Sequence, residues 1–362
     1  RGHLGDGVSK SAGTRAGRRI VSLDNYRKLM TDTRHSDRPS KVRSEKQPIE
    51  VRERDSAASG APIAGWATGD RFSWEEIHQR LLASADEEIA HRIRILFFSG
   101  LTAGFAITLT FLGLTTGLAA FPDNPFLGSL LYPIGFLYIV LGRYQLYTEN
   151  TLPPVKLVLT RLASLPLLLR LWAVVLVANM LGAIGGAFIL AEAEVVSEAG
   201  GDAAATLLEH SMATSWWSVF FKAFFAGWLV AGLVWLSFAA RDTISRVLII
   251  YFVFFTITAM GLYHIISSTC EVFFLYFRSG IDLGAAAWGF LLPVGLGNTI
   301  GGVVAFSLVG YVQSEQHRYP EVRVLSLRDM LFSWKGGRPF GTPRPRAPHT
   351  EQSTGEVDRD TS

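Results

Sequence analysis

The sequence predicts an all-α membrane protein with six transmembrane helices, arranged as two inverted three-helix repeats whose second and fifth spans are broken. The composition indicates the class: of the 362 residues, 49% are hydrophobic and only 18% are charged, whereas about a quarter of a soluble domain is charged. Both ends of the chain are polar, so the apolar residues are concentrated in the middle. Polar and proline-containing stretches interrupt two of the apolar segments, which predicts the breaks.

The polar ends predict two tails. Residues 1–70 are rich in Arg, Ser, Gly and Asp and show no sustained period. We expect a disordered cytoplasmic tail there, because such a segment buries too little apolar surface to fold. Residues 313–362 form a second polar tail on the same side of the membrane. Charges of both signs are mixed through the first tail, so a solvated segment is favoured over a nucleic-acid-binding arm.

An amphipathic helix is predicted over residues 71–92, at the cytoplasmic side. Ser73 followed three residues later by Glu76 is a capping box, which marks a helix start. Apolar residues then recur at helical spacing: Ile77, Leu81, Leu82, Ala85 and Ile89. The pattern is typical of a helix that lies at the membrane surface or packs under a helical bundle.

Six apolar segments follow and form a transmembrane domain over residues 93–312. Their ranges are 93–120, 126–147, 165–190, 216–240, 247–277 and 283–312. Each reaches the roughly 20 residues that a bilayer span needs.

The connecting loops predict the orientation. Lys156 and Arg161 lie between the second and third segments, and Arg241 and Arg246 lie between the fourth and fifth. The loop between the third and fourth segments contains only acidic charges. Basic short loops stay in the cytoplasm, so we expect a multi-pass protein of the inner membrane with both termini cytoplasmic.

The second and fifth segments are the irregular ones. Residues 148–151 are polar and are followed by Pro153 and Pro154, which disfavour helix. The fifth segment carries His264, four hydroxyl or thiol side chains and Glu271 near its middle. Interrupted spans at matching places in two halves indicate a transport site at the repeat interface. The alternative for His264 is a structural histidine that hydrogen-bonds a neighbouring helix.

Three stretches resemble the formate/nitrite transporter family, in the same order and over roughly residues 73–315. Residues 261–264 resemble its fifth-span signature, 292–302 its sixth-span pattern, and 146–152 the loop that breaks its second span. The resemblance implies an aquaporin-like bundle that assembles as a homopentamer with one pore per subunit for small monovalent anions. It also implies a pore histidine at His264 and a sixth-span asparagine at Asn298.

The sequence departs from the family at several positions. Tyr263 stands where the family has a glutamate, and the residues after His264 differ from the usual pattern. An asparagine expected in the fourth span falls at about Gly227, and a family lysine aligns near Ser211. These departures leave the substrate open.

We therefore hypothesise passive or proton-coupled passage of an anion such as formate, nitrite or acetate. A histidine, whose unperturbed pKa is about 6.5, would lower the desolvation cost of the anion by sharing a proton. Hydroxyl and amide groups would donate hydrogen bonds to the anion, and Lys222 would attract anions to the outer mouth unless it snorkels to the interface. Arg143 is a candidate partner for Glu149. The predicted pathway residues are Tyr147, Thr148, Asn150, Thr151, Lys222, His264 and Asn298.

Three other classes stay open at this point. A neutral-solute or water pore of the same architecture would keep the broken spans but lose anion selectivity. A non-transporting scaffold would leave those breaks unexplained. A membrane enzyme is disfavoured, because the sequence has one cysteine, no His-Glu-x-x-His motif and no Gly-x-Ser-x-Gly motif. We predict neither a cofactor nor a bound metal.

Overall fold

The computed structural model describes residues 72–308 and 324–336, and these residues form helices and turns without any β-strand. The first tail, predicted over residues 1–70, lies outside the described residues. So do residues 313–323 and 337–362 of the second tail.

The described helices follow the predicted order. They are α1 (Trp74–Ile89), α2 (Ile93–Ala120), α3 (Pro125–Leu141), α4 (Pro153–Leu159), α5 (Leu165–Glu192), α6 (Glu198–Ala213), α7 (Trp216–Ala239), α8 (Thr243–Ala259), α9 (Ile265–Ser279), α10 (Leu283–Val304) and α11 (Leu327–Phe332). The longer helices α2, α5, α7 and α10 are long and apolar enough to cross a membrane.

The capping box at the start of α1 is present as predicted. The Ser73 hydroxyl accepts a hydrogen bond from the Glu76 backbone, and the Glu76 side chain accepts one from the Ser73 backbone. The five apolar residues named above for this helix are all buried. Because α1 packs against α4 and α7, its apolar face is covered by the transmembrane domain.

Two three-span halves make up that domain. In the first half α2 packs along α5, with the α3–α4 pair as the broken second span. In the second half α7 packs along α10, with the α8–α9 pair as the broken fifth span. Helix α6 connects the halves. The predicted arrangement of two halves with broken second and fifth spans is therefore confirmed.

The break in the fifth span is shorter than the polar stretch that predicted it. Helix α8 ends at Ala259, Gly261 adopts a left-handed conformation with φ 64°, and α9 begins directly after His264. The hydroxyl-rich stretch from Ser267 to Glu271 lies inside α9, where the side chains of Ser267 and Thr269 bond backbone carbonyls of the preceding turn. The residues from Ser267 to Glu271 are therefore part of a regular helix and do not form an irregular loop.

Two buried asparagines hold the two breaks in the same way. In α5, the Asn179 side chain donates to the carbonyls of Gly100 and Gln145 and accepts from the Tyr147 backbone N–H, over 2.7–2.9 Å. In α10, the Asn298 side chain donates to the carbonyls of Ala223 and Tyr263 and accepts from the Ile265 N–H, over 2.8–2.9 Å. Each asparagine ties the first helix of its half to the broken span.

Glycines allow the close helix contacts that these bonds require. A Cβ on Gly104 would overlap the Asn179 backbone, and a Cβ on Gly227 would overlap the Asn298 backbone. Gly104 and Gly227 each lie four residues after the α2 or α7 carbonyl that accepts from the asparagine. The two halves are thus equivalent in detail although their sequences differ, and small residues at helix interfaces serve close packing.

We expect Gly104→Ala and Gly227→Ala each to lower the free energy of unfolding by about 1–3 kcal/mol, the cost of overpacking a well-packed interior. The matched control is Gly185→Ala in α5, because nothing lies within 4 Å of a Cβ at that position. Thermal unfolding of the detergent-purified variants measures the difference. Equal stability of all three variants would contradict the close helix contacts.

Lys156 does not lie in an exposed loop, as the orientation argument assumed. It is fully buried in α4, with Nζ 5.0 Å from the ring centroid of Trp74 and 4.7 Å from that of Trp235. Cation–π contacts of this kind favour a desolvated ammonium. Lys156 therefore joins α1 to α4 and α7, and among the basic residues of that connection Arg161 stays exposed.

Part of the C-terminal segment packs onto the α4–α5 connection. The Leu325 backbone donates to the Arg161 carbonyl at 2.9 Å, and the Ser164 hydroxyl donates to the Ser333 carbonyl at 2.6 Å. The short helix α11 lies between these two anchors.

Candidate functional site

The two broken spans meet at one contact between side chains. Thr148 Oγ1 lies 2.8 Å from His264 Nε2, and His264 is only 1% exposed. The contact joins residues 116 positions apart in the chain, one from each half. His264 Nδ1 is buried without a hydrogen-bond partner in the described part of the chain.

Aromatic rings enclose the histidine. The Phe136 ring meets the His264 ring edge-on with centroids 4.9 Å apart, and the Phe254 ring lies 6.1 Å from it. Phe136 and Phe254 stack on each other at 3.5 Å. Leu146 and Leu152, two residues before and four residues after Thr148, are fully buried. The histidine is thus a buried polar group enclosed by aromatic rings, and we term its surroundings, formed by Thr148, Phe136 and Phe254, the constriction.

A hydroxyl chain continues from the far side of His264. Ser267 Oγ donates to the His264 carbonyl at 3.1 Å and lies 2.7 Å from the Tyr132 hydroxyl. Glu271 follows one turn later in α9 and is 9% exposed, with its Oε1 buried and unpartnered in the described residues. Helix α9 therefore carries polar groups away from the break.

A cavity of about 440 Å³ approaches the contact from the side of α1. We term it the vestibule. Its charged lining comes from Glu88, Arg143, Glu149 and Arg246, and its amide lining from Gln145 and Asn150. Arg143 and Glu149 line the same space, but no ion pair joins them in the described structure, so the pairing considered for these residues is wrong. The ion pair found in the described residues joins Arg278 to Asp202 at 2.9 Å.

Glu88, in α1 and outside the membrane spans, is a titratable residue in the lining of the vestibule. The pKa of Glu88 is raised to about 7, chiefly because burial disfavours the charged carboxylate. The hydrogen bond from Ser84 and the charge of Arg143 act in the opposite direction, and the charge of Glu87 adds to the increase. Glu88 therefore changes charge near neutral pH.

This shift predicts a pH-dependent stability. The folded protein keeps the Glu88 proton up to about pH 7, whereas the unfolded chain releases it near the ordinary value of 4.5. Between these values the folded state binds more protons, so the free energy of unfolding decreases as the pH rises. We expect Glu88→Gln to reduce the loss of thermal stability between about pH 5 and pH 8. Glu75→Gln, at an exposed carboxyl of the same helix that does not contribute to this shift, is the control and should keep the pH dependence of the wild type.

The other predicted pathway residues lie in three different surroundings. Asn150 faces the vestibule, and its Nδ2 donates to Gln145 Oε1 at 3.0 Å. The hydroxyls of Tyr147 and Thr151 are used in hydrogen bonds within the protein. The Tyr147 hydroxyl lies 2.7 Å from the Thr299 hydroxyl, and Thr151 Oγ1 donates to the Thr148 carbonyl at 2.8 Å. Lys222 Nζ lies 5.3 Å from the Tyr263 ring centroid, beside the break in the fifth span.

Asn298 does not have the role expected for it. Both hydrogens of its amide are donated to backbone carbonyls, so the side chain has none left for an anion. Its function in the fold is to fix the start of α9 and the position of His264. The equivalent Asn179 was not singled out from the sequence, although an asparagine in an apolar span is the same kind of sign. Phe136 and Phe254 could not be recognised, because the apolar spans contain many phenylalanines.

Comparison with known proteins shows the family to which this chain belongs. The formate/nitrite transporter model matches residues 75–312. The chain belongs to the formate/nitrite transporter family. The members of this family are channels and transporters and not enzymes, so the chain is a membrane transport protein.

Relatives within the family are distant in sequence. The chain is 28% identical over 242 residues to the Inner membrane protein YfdC of Escherichia coli (strain K12), covering 66% of this chain and 77% of that protein. It is 29% identical over 195 residues to a Probable formate transporter of Methanothermobacter thermautotrophicus, covering 48% and 69%. A solved pentameric formate channel with formate bound shares the fold, with a TM-score of 0.54 at 21% identity, over 61% of this chain and 96% of that channel.

Proposed function

We propose that the protein moves small monovalent anions of weak acids, such as formate, nitrite or acetate, across the inner membrane. The observation that carries the proposal is the 2.8 Å contact between Thr148 and His264, which joins the two broken spans inside an apolar constriction. The names of the probable formate transporter and of the formate-bound channel support this substrate class. We further propose that five subunits assemble, each with its own pore, and that both termini are cytoplasmic.

Desolvation is the main barrier to such an anion. Moving an unpaired charge into an apolar constriction is costly, whereas the neutral acid pays little of that cost. In our proposal the anion reaches the constriction, displaces the Thr148 hydroxyl from Nε2 and shares a proton with His264. The start of α9, directly after His264, adds the partial positive charge of a helix N-terminus.

Lys222 supports the entry of anions from the other side. Its ammonium lies over the Tyr263 ring, next to the break in the fifth span. A cation at this position raises the local anion concentration in front of the constriction.

Purified protein in liposomes tests the proposal. We expect uptake of formate, nitrite or acetate above the rate of empty liposomes, with little transport of chloride as a strong-acid anion. Osmotic swelling in neutral solutes without any anion uptake would show the neutral-solute pore in its place. Absence of both fluxes would leave the non-transporting scaffold as the remaining function class.

A further inference from the structure

One carboxyl group that lines the vestibule belongs to the residue next to Thr148, at the contact between the two broken spans. Glu149 directly follows Thr148, whose hydroxyl contacts His264. It lines the vestibule, and its Oε1 is buried without a hydrogen-bond partner in the described residues. Water in a cavity of about 440 Å³ can therefore exchange protons with a group one residue away from the central contact.

The charged groups around Glu149 do not neutralise it. Glu88 faces it from α1, Arg143 from the turn after α3, and Arg246 from α8, with Tyr144 as a further titratable neighbour. Neither arginine forms an ion pair with Glu149 in the described structure, and Arg246 donates to the carbonyls of Ser237 and Ala240. Helix α7 contributes Ser237 as its polar group in this cavity.

An unpaired carboxylate in this position would oppose the transport proposed above. Burying a charge without a partner is costly, and a negative charge one residue from Thr148 would repel an arriving anion. The two arginines of the vestibule attract the same anion. The burial cost of the carboxylate and its repulsion of the anion both disappear when the Glu149 carboxyl carries a proton while the anion arrives.

We infer that Glu149 is the proton carrier on the vestibule side of the pore, so that the anion and a proton cross together. The proton leaves the Glu149 carboxyl and binds an oxygen of the anion, which gives the neutral acid. A proton from the bulk solution, carried through the water of the vestibule, then reprotonates the carboxylate. This inference rests on the proposed function and adds to it the residue that supplies the proton, while His264 acts at the constriction.

Proteoliposomes that contain a pH-sensitive dye test the inference, with empty liposomes as the correction for passive diffusion of the acid. In the wild type, formate uptake should acidify the lumen and should not respond to an imposed membrane potential or to replacement of sodium by choline. Glu149→Gln should lower proton-coupled uptake by about 10²-fold, the lower range for loss of a proton-transfer group. The remaining uptake should respond to the membrane potential. Glu75→Gln, at an exposed carboxyl of α1 that does not line the vestibule, should leave all of these properties unchanged.

The conservative Glu149→Asp variant separates a proton carrier from a structural residue. It should retain coupling but shift the pH at which uptake is half-maximal, and it decides the question if Glu149→Gln does not assemble. Potential-driven uptake without acidification in the wild type, or an unchanged pH profile in both Glu149 variants, would overturn the inference alone. Absence of uptake for formate, nitrite and acetate in the wild type would overturn the proposed function itself.

Discussion

Replacing Asn298 with alanine should unfold the protein at a markedly lower temperature. The side chain is fully buried and makes three hydrogen bonds to the backbone, in α7, in the break of the fifth span and at the start of α9. Leaving buried backbone groups unpaired costs about 1–3 kcal/mol each. Since some of them keep a second partner, we expect a total loss of about 2–5 kcal/mol.

The matching variant in the other half makes this prediction specific. Asn179→Ala removes the equivalent three bonds and should cause a loss of similar size. Asn124→Ala is the control, because Asn124 is exposed and its side chain accepts a hydrogen bond from the nearby Leu127 backbone N–H. Thermal unfolding, followed by tryptophan fluorescence in detergent, compares the three. If both buried variants were as stable as the control, the two asparagines would not hold the breaks.

Thr148→Val should keep the fold and lose transport. Valine has nearly the shape of threonine, and the Thr148 carbonyl still accepts from Thr151. The variant lacks the hydroxyl that contacts His264, so a charged or protonated intermediate at the constriction loses a hydrogen bond. We expect a decrease in anion uptake of about 10–100-fold, corresponding to a charge-assisted bond of about 1.5–3 kcal/mol.

A control threonine outside the pore separates this effect from a loss of stability. Thr102 in α2 is exposed, and its hydroxyl donates to the Phe98 carbonyl at 2.9 Å. Thr102→Val should transport anions at the wild-type rate. Uptake is measured at equal protein content in liposomes, after gel filtration has shown the same assembly for each variant. Equal uptake by Thr148→Val and the wild type would remove the hydroxyl from the mechanism.

The breaks were predictable because their cause is local. Prolines 153 and 154 and the polar residues before them cannot continue an apolar helix, and His264 in the fifth span has a high desolvation cost wherever it lies. The capping box at Ser73 is likewise complete within four residues. Features of this kind depend on neighbours in the sequence, and the structure confirms them.

The roles of single polar residues were less predictable because they depend on distant partners. Asn298 is a polar residue in an apolar span, as expected of a pore residue. Its amide hydrogens, however, are both donated to the carbonyls of Ala223 and Tyr263. Lys156 is a basic residue between two apolar segments, as expected of a loop residue. Its ammonium, however, lies over the rings of Trp74 and Trp235. Neither partner is near in sequence, so helix packing decides whether such a side chain faces the pore, the protein or water.

The pH profile of formate uptake in the wild type and in His264→Phe is the most direct test of a pore centred on His264. Phenylalanine keeps the aromatic packing against Phe136 and Phe254, so the constriction should stay intact while the group that shares a proton is lost. We predict that the wild type takes up formate with a marked dependence on pH, and that the variant loses most of its uptake and shows a changed pH profile in the remainder. Uptake of the same size and the same pH profile in both proteins would contradict a pore centred on His264.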